Sequence, residues 1–431
     1  MPKGLIMLNR RTFLASMACT PFVFAAETPA LPDITKLPSV VNLPDPLLFL
    51  DGTKVADKAA WFNKRRPELK QLFQHYMYGY YPTQTVAVTS KVLSHDPKAF
   101  AGKGILKEIE ISFGPPSTPT IKLLLAIPAE RKEKVPVFIG MNFSGNHVLV
   151  DDAAIKIPTS WMYDRSPGVV NNQATEKGRG TQKDTWNIEE TLAEGFAVAT
   201  FYSGDVDPDV KDKRLGIQPH LEKAGIAPTG KNAWGTVAVW SWGIMRAIDV
   251  LVNQPELDPK RVIVVGHSRL GKTALLTAAF DERVAMVIPN QAGCGGTAPS
   301  RGKVGESVQR INTSFPHWFN DAFKEFNTQT DKLPFDQNCL VALCAPRPVL
   351  FTNAVEDTWA NPEGQFDVLK AAEGTYKFLG ATGLDSPNMP EVGKLSDGTL
   401  GYFIRAGKHS MSPIDWQAYR AFAKKHLPKQ G

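Results

Sequence analysis

Residues 261–276 read R-V-I-V-V-G-H-S-R-L-G-K-T-A-L-L, and this stretch decides the fold. An apolar run of the kind found in buried strands ends at Gly266, and the apolar spacing of a helix begins after Ser268. A serine on so tight a turn projects its Oγ out of the sheet, and the helix N-terminus faces any oxyanion formed there. Glycines flank the serine because side chains there would collide. The second glycine, Gly271, stands one place later than in the usual G-x-S-x-G pattern. The turn predicts that Ser268 is a nucleophile, and the alternative is a serine that caps the helix.

Strands and helices alternate around this turn, which predicts a mostly parallel sheet with helices on both faces. Three segments carry little periodicity and are too long for simple turns, so we predict that they are insertions shaping a pocket above the sheet. They are residues 142–190, 203–232 and 295–346. The predicted fold class is α/β, a three-layer α/β/α sandwich of the α/β-hydrolase type. The predicted strands are 105–113, 121–127, 135–141, 196–202, 261–265, 284–289, 348–353 and 400–405. The predicted helices are 57–81, 233–253, 271–280, 366–380 and 413–426.

A nucleophilic serine needs a base and an acid, and on this fold both follow it in the chain. His409 is the histidine that follows a predicted strand and precedes a helix, so we predict that it is the base. Two carboxylates, Glu356 and Asp357, follow the strand 348–353. Either could hold the imidazole, and we favour Asp357 because Glu356 is expected to turn toward solvent.

The nucleophile region resembles carbohydrate esterase family 15, the glucuronoyl esterases. The stretch Gly266-His267-Ser268-Arg269-Leu270-Gly271-Lys272 is similar to the G-x-S-R-x-G-K signature of that family. Members of its bacterial branch share further stretches with this chain, and the likeness runs from about residue 40 to the end. Those stretches are 293–296, 310–312 with 315–319, 345–348, 356–360 and His409.

The resemblance implies an α/β-hydrolase that cleaves the ester between (4-O-methyl)glucuronic acid of xylan and an alcohol of lignin. It implies that Arg269 stabilises the oxyanion, and that Lys272, Glu306 and Trp359 bind the uronate. One position departs from the family pattern. Many members carry a Glu on the strand after the nucleophile, at the position before the glycine-rich turn, where this chain has Gln291. An amide cannot stabilise an imidazolium ion. This departure adds weight to Asp357 as the acid.

Other functions stay open at this stage. A broader carboxylesterase acting on acetyl or feruloyl xylan would use the same triad, although the cations Arg269 and Lys272 favour a uronate. An inactive carbohydrate-binding homologue is another alternative, suggested by Gln291. We expect neither a metal nor another cofactor. The segment 142–147, after the strand 135–141, either donates an N–H to the oxyanion or forms a structural turn.

The N-terminus has the features of an export signal. Arg10 and Arg11 precede the short apolar run 13–24, and small residues follow at 25 and 26, a pattern that resembles a twin-arginine signal. The run is too short to span a bilayer. We therefore predict an export signal at 1–26, an N-terminal arm and helix at 27–95, and a catalytic domain at 96–431, in a periplasmic or secreted monomer.

Charge and cysteine content restrict the partners and the covalent structure. The chain has 49 Lys+Arg and 43 Asp+Glu, and half of the excess of 6 lies in the predicted signal, so we expect no nucleic-acid partner. Without the signal, three cysteines remain, Cys294, Cys339 and Cys344. At most one disulfide can form, with Cys294 as the preferred member, and the alternative is three buried thiols.

Overall fold

The computed structural model describes residues 31–211 and 214–428, which contain a ten-stranded sheet and a small two-stranded one. The predicted export signal lies outside the described residues. The strands are β1 (Val88–Ala99), β2 (Gly104–Phe113), β3 (Ile121–Pro128), β4 (Val135–Asn142), β5 (Val169–Val170), β6 (Gln173–Ala174), β7 (Ala197–Tyr202), β8 (Leu257–His267), β9 (Val284–Asn290), β10 (Val349–Ala354), β11 (Leu395–Asp397) and β12 (Leu400–Arg405).

The large sheet has the order β1-β2-β3-β7-β4-β8-β9-β10-β12-β11. The six strands from β7 to β12 in that order run parallel, and antiparallel pairs occupy the two edges. Strand β8, which leads to Ser268, lies between β4 and β9 near the middle of the sheet. The predicted mostly parallel sheet is confirmed.

Helices cover both faces of the sheet. The α-helices are α1 (Lys58–Ala60), α2 (Arg66–Phe73), α3 (Lys183–Trp186), α4 (Ile188–Ala193), α5 (Gln218–Lys223), α6 (Thr236–Leu251), α7 (Arg269–Phe280), α8 (Val308–Ser314), α9 (Gln337–Cys344), α10 (Pro362–Leu379) and α11 (Pro413–His426). Two π-helical segments, Trp61–Arg65 and Gln74–Tyr78, extend α1 and α2 into one helical run, close to the predicted helix 57–81. Short 3₁₀ helices lie at Ile34–Lys36, Asn146–Val148, Glu176–Gly178, Ser203–Asp205, Asp321–Phe326, Thr330–Lys332 and Thr358–Ala360.

Alternate residues of β8 point to opposite faces, as the strand geometry requires. Val262 and Val264 belong to the core under α2, α6, α7, α9 and α10, whereas Ile263 and Val265 belong to the core under α3, α4 and α11. The two cores, one on each side of the sheet, confirm the three-layer architecture.

Part of the predicted insertion 295–346 is instead a core helix. Helix α9 lies within it, and all eight of its residues are buried. The sequence analysis missed α9 because a short helix buried on every side has no polar face to give a periodic pattern. The remainder of the segment contributes α8 and short 3₁₀ turns near the site.

The segments before β1 lie on the body of the molecule. The Val40 N–H donates to the Asp331 carbonyl at 2.8 Å, and Arg301 Nε donates to the Val40 carbonyl at 2.8 Å. The boundary that we predicted between residues 95 and 96 falls inside β1, so both segments contribute to one sheet. Cys294, Cys339 and Cys344 are all buried and unbridged, so the preferred disulfide is not formed and the alternative of three thiols holds.

Candidate active site

Ser268 occupies a strained turn between β8 and α7. Its φ of +57° and ψ of −126° lie outside the regions that non-glycine residues ordinarily adopt. Its N–H donates to the Asn290 carbonyl at 2.8 Å, which ties the turn to β9. A Cβ at Gly266 would lie 2.0 Å from the Leu270 carbonyl oxygen, so only glycine fits there. A Cβ at Gly271 would lie 3.0 Å from both the Ala292 Cβ and the Gly266 carbonyl oxygen, which is closer than ordinary van der Waals contact and favours glycine at this position.

His409 and Asp357 form a close pair above the sheet. The two atoms His409 Nδ1 and Asp357 Oδ2 are 2.6 Å apart, and Asp357 is buried while the His409 side chain is 41% exposed. Glu356 is exposed, as its predicted solvent position requires. Its N–H donates to the Gly407 carbonyl at 3.1 Å, which holds the loop before His409. The geometry therefore favours Asp357 over Glu356 as the partner of the imidazole.

His267, the residue before Ser268, links the nucleophile turn to His409. The ring centroids of His267 and His409 are 4.5 Å apart. His267 Nδ1 lies 2.5 Å from the Asn290 side-chain oxygen. Removal from water, together with the neighbouring His409, lowers the pKa of His267 to about 3. His267 is therefore neutral at ordinary pH and adds no positive charge beside the His409 ring.

Gln291 fixes the loop that carries His409. Its side-chain oxygen accepts the Ser410 N–H at 2.9 Å, and its Nε2 donates to the Ser410 carbonyl at 3.0 Å. Gln291 is buried and has a φ of +49°. Arg405 also donates to the Ser410 carbonyl, at 2.8 Å. The Gln291 amide therefore fixes the loop that carries His409, and it makes no hydrogen bond to the His409 ring.

Arg269 lies at the start of α7, directly after the nucleophile. Its guanidinium pairs with Asp209 and lies over the rings of Phe315 and Trp318, at 5.1 Å and 4.7 Å from their centroids. Its Nε is buried and has no hydrogen-bond partner in the structure. A cation in the residue directly after the serine is a group of the kind that stabilises a developing oxyanion.

Lys272 and Glu306 interact electrostatically with each other and with Arg269. Lys272 Nζ donates to the carbonyl oxygens of Ala292 and Cys294, both at 2.5 Å. Burial lowers the pKa of Lys272, and Glu306 opposes that shift. Burial raises the pKa of Glu306, and Lys272 opposes that shift in turn. An ammonium group has three N–H donors, so one remains for a ligand.

Trp359 and Glu306 lie side by side at the mouth of this region. The Trp359 side chain is 55% exposed, and the Glu306 N–H donates to the Trp359 carbonyl at 3.1 Å. The ring therefore presents an open face next to a carboxylate, which suits a sugar ring. The structure thus places the seven predicted site residues in one region. Arg269, Lys272, Glu306 and Trp359 lie near the turn at Ser268, and the His409–Asp357 pair lies next to His267 of the same turn.

The sequence analysis missed Asp209. Its Oδ1 accepts His317 Nε2 at 2.9 Å and Trp318 Nε1 at 2.8 Å, and its Oδ2 binds Arg269. Burial alone would raise the pKa of Asp209, but the hydrogen bond from His317 and the charge of Arg269 lower it below its ordinary value. The one available signal was a row of alternating acids at 205, 207 and 209, directly after the strand that ends at Tyr202.

The segment after β4 forms a turn braced by asparagines. The Asn142 side chain donates to Asn146 at 2.9 Å and to Thr200 at 3.1 Å, and it accepts the Gly145 N–H at 2.7 Å. These bonds support the structural-turn interpretation of this segment. Whether it also donates to an oxyanion stays a prediction.

Among the described residues there is neither a metal-binding cluster nor a helix able to span a membrane. Across 31–211 and 214–428, no group of three or more His, Cys, Asp or Glu side chains is placed to hold a metal ion. In the same residues, no helix combines the length and the apolar character that crossing a bilayer requires.

Known proteins similar to this chain share its fold along nearly its whole length. A family model described as glucuronyl esterase, fungi, matches residues 186–380. A carbohydrate esterase of an unknown prokaryotic organism is 45% identical, over 90% of each chain. The structure of a promiscuous esterase of carbohydrate esterase family 15, from a marine bacterial metagenome, is 44% identical, with a TM-score of 0.84 and coverage of 91% of this chain and 99% of its own.

A glucuronoyl esterase from Solibacter usitatus is 34% identical, with a TM-score of 0.83, and covers 91% of this chain and 100% of its own. The 4-O-methyl-glucuronoyl methylesterase of Phanerochaete carnosa is 28% identical, over 82% of this chain and 76% of its own. With the nucleophile turn, these similarities confirm the resemblance drawn from the sequence: the chain belongs to carbohydrate esterase family 15, the glucuronoyl esterases of the α/β-hydrolase fold.

Proposed function

We propose that this protein hydrolyses the ester that joins the carboxyl group of (4-O-methyl)glucuronic acid on xylan to an alcohol of lignin. The observation that carries the proposal is the arrangement around Ser268. The His409–Asp357 pair lies next to His267 of the nucleophile turn, and the cations Arg269 and Lys272 lie on the helix that begins directly after Ser268. The Arg269 and Lys272 side chains carry N–H donors, which suit the hydroxyl groups of a sugar ring and have no counterpart to bind in an acetyl group.

The chemistry is a two-step acyl transfer. Ser268 Oγ attacks the ester carbonyl while His409 takes its proton, and Arg269 stabilises the oxyanion. His409, held by Asp357, then passes the proton to the departing alcohol. Water attacks the resulting acyl-enzyme with His409 again as base, which releases the uronate and restores the serine.

Three residues beside Arg269 hold the sugar in this proposal. The free N–H of Lys272 donates to a ring hydroxyl, Glu306 accepts from one, and Trp359 stacks on the ring. Because Lys272 is buried and already fixed by two carbonyl oxygens, it binds a hydroxyl without the loss of side-chain freedom that a surface lysine would suffer.

The proposal is tested by the hydrolysis of benzyl glucuronate compared with ethyl acetate and p-nitrophenyl acetate, with wild type and Ser268→Ala. We expect strong preference for the uronate ester and loss of all turnover in Ser268→Ala. Turnover of the acetates alone would overturn the uronate assignment. Absence of turnover on all three esters would favour a binding protein with a hydrolase fold.

A broader carboxylesterase is the second candidate function. It is favoured by the 44%-identical relative, which is described as promiscuous. In that case acetyl or feruloyl esters would be hydrolysed at rates comparable with the uronate ester, and the same three substrates separate the two candidates.

We also propose export by the twin-arginine route, with residues 1–26 as the signal of a monomeric protein. The support is the arginine pair before a short apolar run. Changing Arg10 and Arg11 together to lysine should block export of the full chain in a bacterial host that has this pathway. A periplasmic product from that variant would contradict the proposal.

A further inference from the structure

Arg269 contacts one short segment between β9 and α9. The Phe315 and Trp318 rings stack on each other, with centroids 3.8 Å apart and planes 4° from parallel, and the Arg269 guanidinium lies 5.1 Å and 4.7 Å from these centroids. The face of an aromatic ring attracts a cation but does not fix the direction of its N–H groups. The rings therefore hold the guanidinium in place, and a further contact must orient it.

That further contact is the ion pair with Asp209, and the same segment positions the carboxylate. His317 Nε2 lies 2.9 Å from Asp209 Oδ1, and Trp318 Nε1 donates to the same oxygen at 2.8 Å. Burial opposes the ionisation of Asp209, but the hydrogen bond from His317 and the charge of Arg269 lower its pKa, so it is an ionised acceptor and Nε2 carries the proton. Two donors on Oδ1 restrict the rotation of the carboxylate and leave Oδ2 for Arg269.

The backbone of His317 and Trp318 is tied to a long helix. The N–H groups of Thr236 and Val237, in the first turn of α6, donate to the carbonyl oxygens of His317 and Trp318 at 2.9 Å and 3.1 Å. Helix α6 spans 16 residues, most of which are buried. The two donors that hold Asp209 are therefore fixed relative to the body of the molecule.

The His317 ring does more than fill space. Its side chain is 18% exposed, and its Nδ1 is buried and has no hydrogen-bond partner among the described residues. An unpaired buried nitrogen destabilises a fold, and an apolar side chain of similar size would avoid that cost. The hydrogen bond from Nε2 to Asp209 is the contact that such a side chain could not make.

We propose that His317 and Trp318 are positioning residues for the oxyanion. They hold Asp209 so that it directs the Arg269 guanidinium toward the carbonyl oxygen of the ester. The proposal rests on the proposed function, because it assumes that Arg269 stabilises the oxyanion.

Positioning of the oxyanion and binding of the sugar differ in the substrates that they affect. An oxyanion forms in the hydrolysis of every ester, whereas Lys272, Glu306 and Trp359 would contact the sugar alone. Loss of a positioning residue should therefore slow the hydrolysis of uronate and acetate esters alike, and it should act on kcat more than on KM.

The test measures benzyl glucuronate and ethyl acetate with His317→Leu and Trp318→Phe, each of which removes one donor from Asp209. We expect kcat/KM about fivefold below wild type on both esters, with KM for benzyl glucuronate changed less than about twofold. His317→Gln supplies an amide N–H in place of Nε2 and should recover kcat/KM to within about twofold of wild type. His95→Leu is the matched control, because His95 is an exposed histidine of β1, and it should keep the activity of wild type.

A second comparison shows whether the effect passes through Arg269. Arg269→Met should lower kcat/KM about 10²-fold, and adding His317→Leu to it should cost less than about twofold more. An equal loss from His317→Leu in both backgrounds would overturn the proposal. Wild-type activity in Arg269→Met would overturn it as well. If Arg269→Met shows no turnover, the comparison of the two esters decides.

The two esters supply the remaining outcomes. Full activity in folded His317→Leu and Trp318→Phe would overturn the proposal, and so would a loss confined to benzyl glucuronate, since that would place these residues in the sugar site. If His317→Leu does not fold, as judged by circular dichroism, Trp318→Phe decides by the same comparisons. A wild type that cleaves ethyl acetate but not benzyl glucuronate would refute the proposed function, and the comparison with Arg269→Met would then decide this proposal on ethyl acetate.

Discussion

Replacing Asp357 by asparagine is the sharpest test of the predicted triad. The structure shows the contact between Asp357 and His409, and the neighbouring Glu356 is the alternative acid against which the result can be compared. Asp357 Oδ2 lies 2.6 Å from His409 Nδ1, and Asp357 is buried. Asparagine keeps the size of the side chain and removes its charge. We expect a large fall in kcat and a small change in KM, since Asp357 acts on the reacting imidazole and not on the sugar.

The magnitude follows from two contributions. A hydrogen bond to a charged group is worth about 1.5–3 kcal/mol, which corresponds to roughly 10- to 150-fold in rate. An asparagine that donates its amide to Nδ1 also selects the imidazole tautomer that cannot accept the serine proton, and in serine proteases the full effect reaches about 10⁴-fold. We therefore expect kcat of Asp357→Asn to be about 10²- to 10⁴-fold below wild type.

The assay is steady-state hydrolysis of a glucuronate ester, with Glu356→Gln as the matched control. Glu356 is adjacent in sequence but exposed, so its variant should retain kcat within about twofold. Equal thermal unfolding of the two variants would show that both are folded. The triad assignment would be refuted by a fall in kcat for Glu356→Gln that Asp357→Asn does not show.

Three further variants probe the charged groups around the site and below it. Lys272→Met removes the buried donor and should raise KM about tenfold while changing kcat less, as measured on the same ester; an unchanged KM would exclude Lys272 from sugar binding. Asp209→Asn leaves Arg269 without its carboxylate partner and should lower kcat about tenfold, and retention of full kcat would show that the guanidinium is held by its aromatic neighbours alone. Burial raises the pKa of Asp205 to about 7, so its protonated form is favoured in the fold; its contribution to the free energy of unfolding is present below pH 4 and lost as pH rises through 7. Urea unfolding at several pH values should show less loss of stability over that range in Asp205→Asn than in wild type, and parallel curves would contradict the assignment.

The nucleophile turn and the parallel sheet could be predicted because their signals are local. The apolar run of β8, the two glycines and the first turn of α7 lie within a dozen residues, and each acts on its immediate neighbours. The pairing of His409 with Asp357 was also predictable, since on parallel strands the residues that follow the carboxyl ends meet at one edge. Helix α9 was missed because it is short and buried on all sides.

The role of Asp209 could not be predicted, because its contacts are made far along the chain. It binds Arg269, 60 residues later, and His317, 108 residues later, and both contacts depend on how two insertions fold over the sheet. No sequence period and no short motif indicates that side chains so far apart in the chain contact each other. The cysteines are a similar case. Their spacing in the sequence allowed a disulfide, and the structure shows that all three are buried and unbridged.

Gln291 shows how a departure from the family pattern is accommodated locally. The position must satisfy both the N–H and the carbonyl of Ser410, and an amide has one acceptor and one donor for these two groups. A carboxylate would still accept from the N–H but would face the carbonyl oxygen with a second negative atom. Gln291 therefore holds the loop that carries His409 better than the Glu found here in many family members would. As a neutral amide, it cannot pair with a protonated His409. Asp357 is the carboxylate that contacts the His409 ring in the structure, and for this reason we expect its substitution to be costly in this chain.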